Sequence, residues 1–387
     1  MKFTSARIYT LSIPFRMSFA HSLQARKCSR SVVVALNTDS GVTGYGEGAP
    51  RSYVTGEDLG SCVNHIRSIL RPALRGRIFQ EACTVTALLS ELEEISNGLP
   101  AVGGGEVIAY HAAKCSVELA IVDGILQNYG LSAGALWPPA ADSFTYSIVI
   151  GSGTVEAARA MALHCWEEGI KHIKIKVGGD NDYARVAAVR DIVGDGVSLR
   201  LDANGALDLP TAVNLAHVLE PLQVDCIEQP FPRDAITAMA EFRRLAQLPV
   251  MADESLVTSQ DADQLIERCA CDLFNLRISK NGGLFATLAL AAKGRKAGIR
   301  LQLGCQVGET AILSAAGRHL AAHIPDLCYV EGSYGDLLLS EDISQKPVNF
   351  GHGGGAGLLT EPGLGICIQP RLLDKYCELI FEEDLTS

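Results

Sequence analysis

Carboxylates recur along the chain at a regular interval. Asp202, Glu228 and Asp253 are 26 and 25 residues apart, and each ends a short apolar run, in VSLRLD, DCIE and PVMAD. This interval matches one βα unit, so the three carboxylates would end successive strands and meet at one point. Converging carboxylates repel unless a cation lies between them. Ligands that are all oxygen favour Mg²⁺, with Mn²⁺ as the second choice.

Each carboxylate also has a simpler interpretation, because an acidic side chain can cap the helix that follows it. The sequences DAN and DES could both do so. One such residue would not separate the two interpretations. The recurrence in three successive units favours the metal site.

Two lysines stand on either side of one isoleucine in KHIKIKVGG, residues 171–179. Residues two apart in a strand point the same way, so Lys174 and Lys176 would share one face of an apolar strand. Lys280, in RISKNGG, would reach the carboxylates from the other side. Neighbouring ammonium groups disfavour each other's charged form and so lower each other's pKa. A lysine needs such a lowered pKa to act as a base near neutral pH. An exposed strand face is the alternative for the first pair alone.

These side chains need a scaffold of parallel strands. From residue 144 to about 335, eight short apolar runs alternate with Ala-rich amphipathic segments. The runs are FTYSIVI, HIKIKV, VSLRLDAN, DCIEQP, PVMADES, LFNLRISK, IRLQLG and LCYVEG. Repeated βα units predict an α/β fold, and eight of them favour a closed (β/α)8 TIM-type barrel with its active site at the carboxyl ends of the strands. An open doubly wound sheet is the alternative.

The chain divides into three parts. Residues 1–130 begin as a strand meander that contains SVVVALNTDSGVTGYGEG and continue with helical periodicity, so we expect an N-terminal α+β capping domain. Residues 140–345 carry the predicted barrel, and WPPAADS has the composition of a linker. Residues 346–387 are loop-rich with a short final helix, and we expect them to pack back on the capping domain.

Composition limits the partners. A net charge of −11 argues against nucleic acid and anionic membranes as main partners, because both reward basic patches. The N-terminus MKFTSARIYTLSIPF lacks the apolar run of a signal peptide, and no apolar stretch reaches membrane-spanning length. We expect a cytoplasmic homo-oligomer whose partner is a small-molecule carboxylate substrate, with no nucleic acid and no membrane.

Five motifs in this order resemble those of the enolase superfamily, in its muconate-lactonising-enzyme subgroup: KIKVGG, RLDANGAL, IEQPF, MADES and RISKNGG. The resemblance covers nearly the whole chain, and GVTGYGEG resembles a hairpin of the family's capping domain. It implies a modified (β/α)7β barrel with Mg²⁺ on Asp202, Glu228 and Asp253. The histidine base of the mandelate-racemase pattern is absent from the late strands.

The resemblance also implies the chemistry. Lys176 and Lys280 would be opposed acid/base catalysts, and Lys174 would assist Lys176 and contact the substrate carboxylate. Two opposed bases fit racemisation or epimerisation of an amino-acid derivative, an N-acyl amino acid or a dipeptide, through an enediolate that the metal stabilises. A muconate-type cycloisomerase or a syn-dehydratase could use the same intermediate. A catalytically silent barrel is the alternative of another class, and the cost of holding five buried charges together disfavours it.

The end of the eighth strand bears on the substrate. The family's dipeptide epimerases carry Asp-x-Asp there to hold the substrate ammonium, whereas this chain reads VEGSYGDLLL. Gly332 and Tyr334 fall at the two positions, and the available carboxylates, Glu331 and Asp336, are displaced. This departure weakens the dipeptide assignment and leaves N-acyl amino acids, other α-substituted acids and lactonising substrates open.

Further residues are candidates for substrate contact. Asn204 follows the third strand, Glu309 lies near the rim in GCQVGET, and Glu331 ends the eighth strand. The loops FRMSFAHS and APRSYVTGE of the capping domain should set specificity, although ordinary surface loops are the alternative. The candidates in these loops are Phe19, His21, Arg51 and Tyr53.

Overall fold

A computed structural model describes residues 1–21, 24–79 and 84–386, and the side chains of these residues except at 17–21 and 24–26. Its strands are β1 (Phe3–Leu11), β2 (Pro14–His21), β3 (Gln24–Cys28), β4 (Ser31–Thr38), β5 (Thr43–Gly48), β6 (Val102–Gly104), β7 (Val107–Ala109), β8 (Ser143–Thr145), β9 (Ile148–Ile150), β10 (His172–Lys176), β11 (Ser198–Asp202), β12 (Cys226–Glu228), β13 (Val250–Ala252), β14 (Leu273–Leu276), β15 (Arg300–Leu303), β16 (Leu327–Val330), β17 (Gly355–Gly357) and β18 (Cys377–Asp384). Its helices are α1 (Leu59–Leu74), α2 (Val85–Gly98), α3 (His111–Asn128), α4 (Ala133–Leu136), α5 (Val155–Glu167), α6 (Asp182–Val193), α7 (Leu209–Leu219), α8 (Ile236–Leu245), α9 (Ser259–Glu267), α10 (Ile278–Asn281), α11 (Leu284–Lys296), α12 (Ala311–His323), α13 (Gly335–Leu338) and α14 (Pro370–Tyr376). Short 3₁₀ helices form at Glu220–Leu222 and His352–Gly354.

The strands from β9 to β16 form one parallel sheet in chain order. The sheet closes where Tyr146 pairs with Val330, and the amide of Ser147 donates to the carbonyl of Val330 at 2.8 Å. Each predicted apolar run supplies one of these strands, so the predicted TIM-type barrel is confirmed. A full helix follows every strand of the barrel except β16, which only the four-residue α13 follows. The barrel is therefore the modified (β/α)7β form.

Alternation along β10 explains the two lysines. Ile173 and Ile175 are fully buried in the main hydrophobic core, whereas Lys174 and Lys176 point the other way, into the barrel. The register pairs Lys176 with Asp202, and β12 continues this row of charged side chains at its own carboxyl end. The two lysines thus share a buried face, and the sheet register places the carboxylates Asp202 and Glu228 beside them on that face.

An apolar layer fills the barrel below this charged row. Cys226, Met251, Leu273 and Tyr329 form a separate buried cluster inside the strands. Cys226 precedes Glu228 by two residues on the same strand, so their side chains are neighbours on the inner face. The lining of the barrel therefore changes from apolar to charged between one inward-facing residue and the next. The charged layer consequently lies at the carboxyl end, where the barrel is open.

The capping domain is built on the sheet β18-β1-β4-β5, which α3 covers. The glycines of GYGEG let this helix approach. A Cβ atom at Gly44, Gly46 or Gly48 would lie 2.0 to 2.2 Å from backbone carbonyl oxygens of α3. This stretch is therefore a helix-packing surface, and larger residues at its alternate positions would displace the helix.

Two elements differ from the sequence-based expectation. Strand β18 follows the predicted final helix and pairs with β1, but its exposed Leu379 and Ile380 hide the alternation of an edge strand. The hairpin of β6 and β7 interrupts the predicted helical region, with strands of only three residues each. The domain boundaries at 130, 140 and 346 stay predictions. Within the described ranges, no helix combines the length and the apolar character needed to cross a membrane.

Candidate active site

Lys174 lies at the centre of a buried ion-pair network inside the barrel. Its Nζ is 2.7 Å from Glu331 Oε2 and 3.3 Å from both Glu228 Oε2 and Asp202 Oδ2. Burial alone would lower the pKa of Lys174, but these three carboxylates outweigh it and hold that pKa well above its ordinary value. Arg200, 2.6 Å from Glu331 Oε1, neutralises the other side of that carboxylate. Lys174 therefore stays a cation.

Lys176 lies at the carboxyl end of β10, closer to the open end of the barrel than Lys174. Its Nζ donates to Asp202 Oδ2 at 2.6 Å and to Asn204 Oδ1 at 2.7 Å. Asn204 adopts a left-handed conformation, with φ +45°, and its backbone amide donates to Asp202 Oδ1 at 3.0 Å. The side-chain amide of Asn204 donates to Glu254 Oε1 at 3.0 Å. Asn204 thus links Lys176 to Glu254.

Lys280 approaches from the other side of the carboxylates, on the one-turn helix α10 rather than on the strand itself. Its Nζ donates to Asp253 Oδ1 at 2.9 Å, to the Asp253 carbonyl at 2.8 Å and to the Asn275 carbonyl at 2.7 Å. These bonds use all three N–H groups. Burial lowers the pKa of Lys280, and Arg277 adds to this effect against the opposing charge of Asp253. Lys280 must give up one of these three protons before its nitrogen can accept another.

The capping domain positions α10. The Nδ1 atom of His111, the first residue of α3, lies 2.7 Å from the carbonyl oxygen of Lys280. The amide of Ala49 donates to Ser279 Oγ at 2.8 Å. The place of Lys280 in the barrel mouth therefore depends on two contacts from outside the barrel.

Arg277 is a functional candidate that the sequence reasoning missed. Its Nη2 lies 3.2 Å from Glu228 Oε1 and forms a short ion pair with Asp253. Its Nη1 donates to Gln306 Oε1 at 3.3 Å. The signal was present in RISK, because Arg277 follows the inward-facing Asn275 by two residues at the end of β14.

The three predicted metal ligands converge. Asp202, Glu228 and Asp253 are each 0% exposed, Lys174 contacts the first two, and Arg277 contacts the last two. Glu228 also accepts hydrogen bonds from the side-chain amides of Asn275 and Gln302. One compact set of oxygens therefore spans three neighbouring strands.

This donor set fits Mg²⁺, which prefers carboxylate oxygens. Burial, with the neighbouring Asp202, raises the pKa of Glu228 to about 7. Burial, with Asp253, raises the pKa of Glu254 to about 8, and Glu254 Oε2 is buried without a hydrogen-bond partner. Within the described residues, no three acidic, His or Cys side chains are already spaced to hold an ion. Lysine and arginine groups contact the oxygens of Asp202, Glu228 and Asp253, and a divalent cation in their place would relieve the repulsion among these carboxylates.

The formal charges of the network balance in the described part of the chain. Five buried acids face five buried bases: Asp202, Glu228, Asp253, Glu254 and Glu331 against Lys174, Lys176, Arg200, Arg277 and Lys280. A divalent cation would make the site positive overall. Such a site attracts a carboxylate substrate and stabilises the further negative charge that forms on proton loss.

A cavity of about 270 Å³ opens above the network. Lys174, Lys176, Glu254 and Arg277 line its charged end. The rest of its lining includes His164 and the apolar side chains that we call the apolar end: Ile148, Val149, Met161, Leu337 and Leu338. The cavity is therefore amphipathic, and its apolar end begins directly beside Lys174, the register partner of Val149.

Three of the predicted substrate contacts line this cavity, namely Tyr53, Asn204 and Glu331. Glu331 differs from the expectation in one respect, because both its carboxylate oxygens are engaged by buried cations. Phe19 and His21 belong to β2, and their side chains lie outside the described part of the chain.

Two predicted contacts lie behind the cavity wall. Arg51 is 1% exposed, and its guanidinium donates to backbone carbonyls, among them that of Val307 at 2.6 Å. Val307 lines the cavity, so Arg51 braces the wall. Glu309 accepts the amide of Gln306 at 2.6 Å and lines a separate small cavity beside Glu331.

The chain is similar to proteins of known activity. Residues 155–372 match the family model described as "Enolase C-terminal domain-like". The N-succinyl-L-Arg/Lys racemase of Bacillus cereus is 30% identical, over 97% of this chain and 98% of that protein. Its crystal structure superposes with a TM-score of 0.88 over 99% of this chain and 100% of that one, at 29% identity.

Two further relatives differ in activity. The dipeptide epimerase of Cytophaga hutchinsonii, solved with Mg and the dipeptide D-Ala-L-Val, gives a TM-score of 0.84 over 99% of this chain and 100% of that one, at 25% identity. Muconate cycloisomerase 1 of Rhodococcus opacus is 28% identical over 95% of this chain and 96% of that protein. Racemisation, epimerisation and cycloisomerisation thus all occur among proteins similar to this one.

Proposed function

Because this chain belongs to the enolase superfamily, in its muconate-lactonising-enzyme subgroup, we propose that it racemises an N-acylated amino acid through an enediolate. It is a metal-dependent enzyme of the isomerase class, with Mg²⁺ as the expected ion. In this proposal Asp202, Glu228 and Asp253 hold the ion, and Mn²⁺ can replace it. A homo-oligomer and a cytoplasmic location stay predictions.

One observation supports the two-base scheme above all others. The Nζ atoms of Lys176 and Lys280 contact two different carboxylates, Asp202 and Asp253, which lie on either side of Glu228. A substrate carboxylate held at these ligands would have one lysine on each side. Racemisation requires this arrangement, because the proton leaves one face of the α-carbon and returns to the other.

The chain's own groups have distinct parts in the reaction. When bound, Mg²⁺ would polarise the substrate carboxylate and so acidify the neighbouring C–H bond. Lys176 or Lys280 takes the α-proton, depending on the enantiomer, and the opposite lysine donates a proton to the other face. Lys174 remains charged and helps to hold the substrate carboxylate, because three carboxylates raise its pKa.

The acyl group is proposed because, among the described residues, the apolar end of the cavity carries no acid, and the acids that line the cavity, Glu254 and Glu331, belong to the charged network. Tyr334, which the interpretation of the eighth strand places at one of the two Asp positions of dipeptide epimerases, donates its hydroxyl to the Ser147 carbonyl at 2.7 Å. Both Glu331 oxygens are committed to Lys174 and Arg200. A neutral amide nitrogen fits this end of the site better than an ammonium.

Cycloisomerisation is the second candidate, and the similarity to muconate cycloisomerase 1 favours it over dehydration. It would use one lysine as the acid or base and keep the other as a fixed charge. The silent barrel is the remaining alternative, and the similarity to isomerases over nearly the whole chain disfavours it.

The three candidates are separated by exchange in D₂O. The protein with Mg²⁺ is incubated with N-acyl amino acids, dipeptides and muconate-type acids, and a sample with EDTA is the control. We expect Mg²⁺-dependent deuterium at the α-carbon with loss of optical purity for the N-acyl amino acids. A new ring or alkene would support the second candidate, and no exchange with any acid would support the third.

A further inference from the structure

The apolar end of the cavity is lined from both faces of β9 and so extends beyond the lumen. Val149 pairs with Lys174 in the register of β9 and β10, and so faces the lumen. Ile148 points the opposite way, towards α5, where Met161 and the exposed His164 line the same cavity. We call this extension, lined by Ile148, Met161, Leu337 and Leu338, the side arm.

The arm exists because the last strand of the barrel has no full helix after it. In that place stands α13, and its Leu337 and Leu338 form one wall of the arm. The capping domain fixes the end of α13, because Ser340 donates its amide to the Pro14 carbonyl at 2.8 Å and Arg16 Nε donates to the Leu339 carbonyl at 2.9 Å. The arm is thus a built part of the site rather than a loose surface groove.

The chemistry of the arm favours an apolar chain. The four residues that define it are aliphatic or thioether side chains, with His164 beside Met161 on α5, and Leu337 is 48% exposed. Exposed apolar surface continuous with a charged pocket becomes favourable when a ligand covers it. An arm that runs beside α5 is on the order of 10 Å long, the width of a helix. An extended aliphatic chain reaches that far, whereas an apolar amino-acid side chain does not.

We propose that the side arm binds the acyl chain of the substrate, so that the enzyme prefers amino acids acylated with medium-length aliphatic acids over short-chain derivatives. This inference rests on the proposed function and adds the class of acyl group to it. The carboxylate would lie at the charged end of the cavity, the α-carbon between the lysines, and the acyl chain between α5 and α13.

The test is a series of acyl lengths on fixed amino acids. The acetyl, butanoyl, hexanoyl and octanoyl derivatives of L-alanine and L-phenylalanine are compared by kcat/KM for α-deuterium exchange with Mg²⁺ in D₂O. We expect an increase of up to about fourfold for each methylene buried, and at least about 100-fold from acetyl to octanoyl. A flat or falling series would refute the arm while leaving the proposed function standing. A gain that follows the amino-acid side chain instead of the acyl chain would also refute it.

Variants on one helix locate the effect. Met161→Trp should lower the octanoyl-to-acetyl ratio of kcat/KM at least tenfold, because the indole fills the arm. Leu163→Trp is the matched control, since Leu163 lies on the same helix, is 47% exposed and points away from the arm, and this variant should keep the wild-type ratio. Leu337→Asp, at an exposed position, serves if Met161→Trp does not fold. An unchanged ratio in both arm variants would overturn the proposal.

Calorimetry distinguishes a failure of the proposed function from a failure of the side arm to bind acyl chains. If no derivative exchanges its α-proton, the proposed function fails. The arm is then still tested by comparing the binding of N-octanoyl-L-alanine and N-acetyl-L-alanine to the Mg²⁺-loaded protein. At least tenfold tighter binding of the octanoyl derivative, lost in Met161→Trp, supports the arm, and equal affinities contradict it.

Discussion

The barrel mouth and the seam between the capping domain and the barrel both bury carboxylates, but they neutralise them in different ways. At the mouth, lysine and arginine side chains contact Asp202, Glu228 and Asp253. At the seam, Glu47 accepts hydrogen bonds from backbone amides at the start of α12, and within the capping domain Glu57 accepts them at the start of α3. The same residue type is therefore buried for two purposes.

Glu47 joins the capping domain to the barrel, whereas Glu57 fixes a helix within the capping domain. Glu47 on β5 accepts from the Thr310 amide at 3.1 Å, from the Thr310 hydroxyl at 2.7 Å and from the Leu313 amide at 3.2 Å, at the start of α12. Glu57 binds the amides of Ala112 and Ala113 at the start of α3. Helix N-termini favour anions. Their donors are backbone N–H groups, which cannot turn away from the carboxylate while the helix is folded.

The contrast gives a criterion for function. Ion pairs at the mouth can be exchanged for a metal ion and a substrate, since side chains can turn away from one another. The hydrogen bonds from backbone amides to Glu47 cannot be exchanged unless the first turn of the helix unfolds. Removal of a mouth carboxylate should therefore abolish binding and activity, whereas removal of a seam carboxylate should reduce stability.

The largest expected effect is that of Glu228→Gln. Replacing the central ligand should weaken Mg²⁺ binding by more than about 100-fold, because even partners of metal ligands contribute 10- to 100-fold. Calorimetric titration with Mg²⁺ measures this. Glu47→Gln is the matched control and should bind Mg²⁺ like the wild-type protein. Equal affinities in Glu228→Gln and the wild type would remove Glu228 from the metal site.

The next effect is on stability. Glu47→Ala leaves the first amides of α12 without their acceptor, so we expect the free energy of unfolding to fall by roughly 3 kcal/mol. Urea unfolding followed by circular dichroism measures the change. Below the unfolding transition, kcat per folded molecule should stay near the wild-type value. A stable variant with lost activity would reverse the assignment of Glu47 to the structural set.

A smaller effect concerns pH. Burial raises the pKa of both Glu47 and Glu57 to about 7, from an ordinary value of 4.5. Between about pH 4.5 and 7 the folded chain keeps these protons and the unfolded chain releases them, so the free energy of unfolding falls as pH rises. Each group contributes at most about 1 kcal/mol per pH unit. Glu57→Gln should reduce this slope in metal-free urea titrations at pH 5, 6 and 7, and an unchanged slope would contradict the assignment.

The smallest effect is that of an exposed ion pair. Arg7 Nε lies 2.9 Å from Glu382 Oε1 between β1 and β18, with side chains 53% and 67% exposed. Solvent and salt screen such a pair, so we expect Arg7→Ala to lower the free energy of unfolding by less than about 0.5 kcal/mol. The midpoint of urea unfolding measures this change. A loss comparable to that of Glu47→Ala would show that the edge strand depends on this pair.

Sequence periodicity was sufficient to find the barrel and the residues that end its strands. Lys174, Lys176, Asp202 and Glu228 share a face because the strand period is two, and the register follows from the repeat length. Arg277 was missed because its inward position at the end of β14 does not by itself reveal its partners, Glu228 and Asp253.

Other features depend on three-dimensional packing that no local pattern encodes. Glu47 looks like part of a glycine-rich hairpin, and only the fold brings it to the start of α12, 263 residues away. Strand β18 becomes a strand by pairing with β1 at the opposite end of the chain. Glu331 was predicted to contact substrate, and its two cation partners come from other strands of the barrel.

The central claim, that Lys176 and Lys280 act on opposite faces of one α-carbon, is tested most directly by exchange from each enantiomer separately. An N-acyl amino acid that the wild-type enzyme racemises is supplied as the pure L or D form in D₂O with Mg²⁺, to Lys176→Ala, to Lys280→Ala and to Lys296→Ala, an exposed control on α11. We predict that both active-site variants lose racemisation by at least about 100-fold, and that any exchange left in each is confined to one enantiomer, opposite in the two variants. Racemisation at the wild-type rate in either variant would contradict the account.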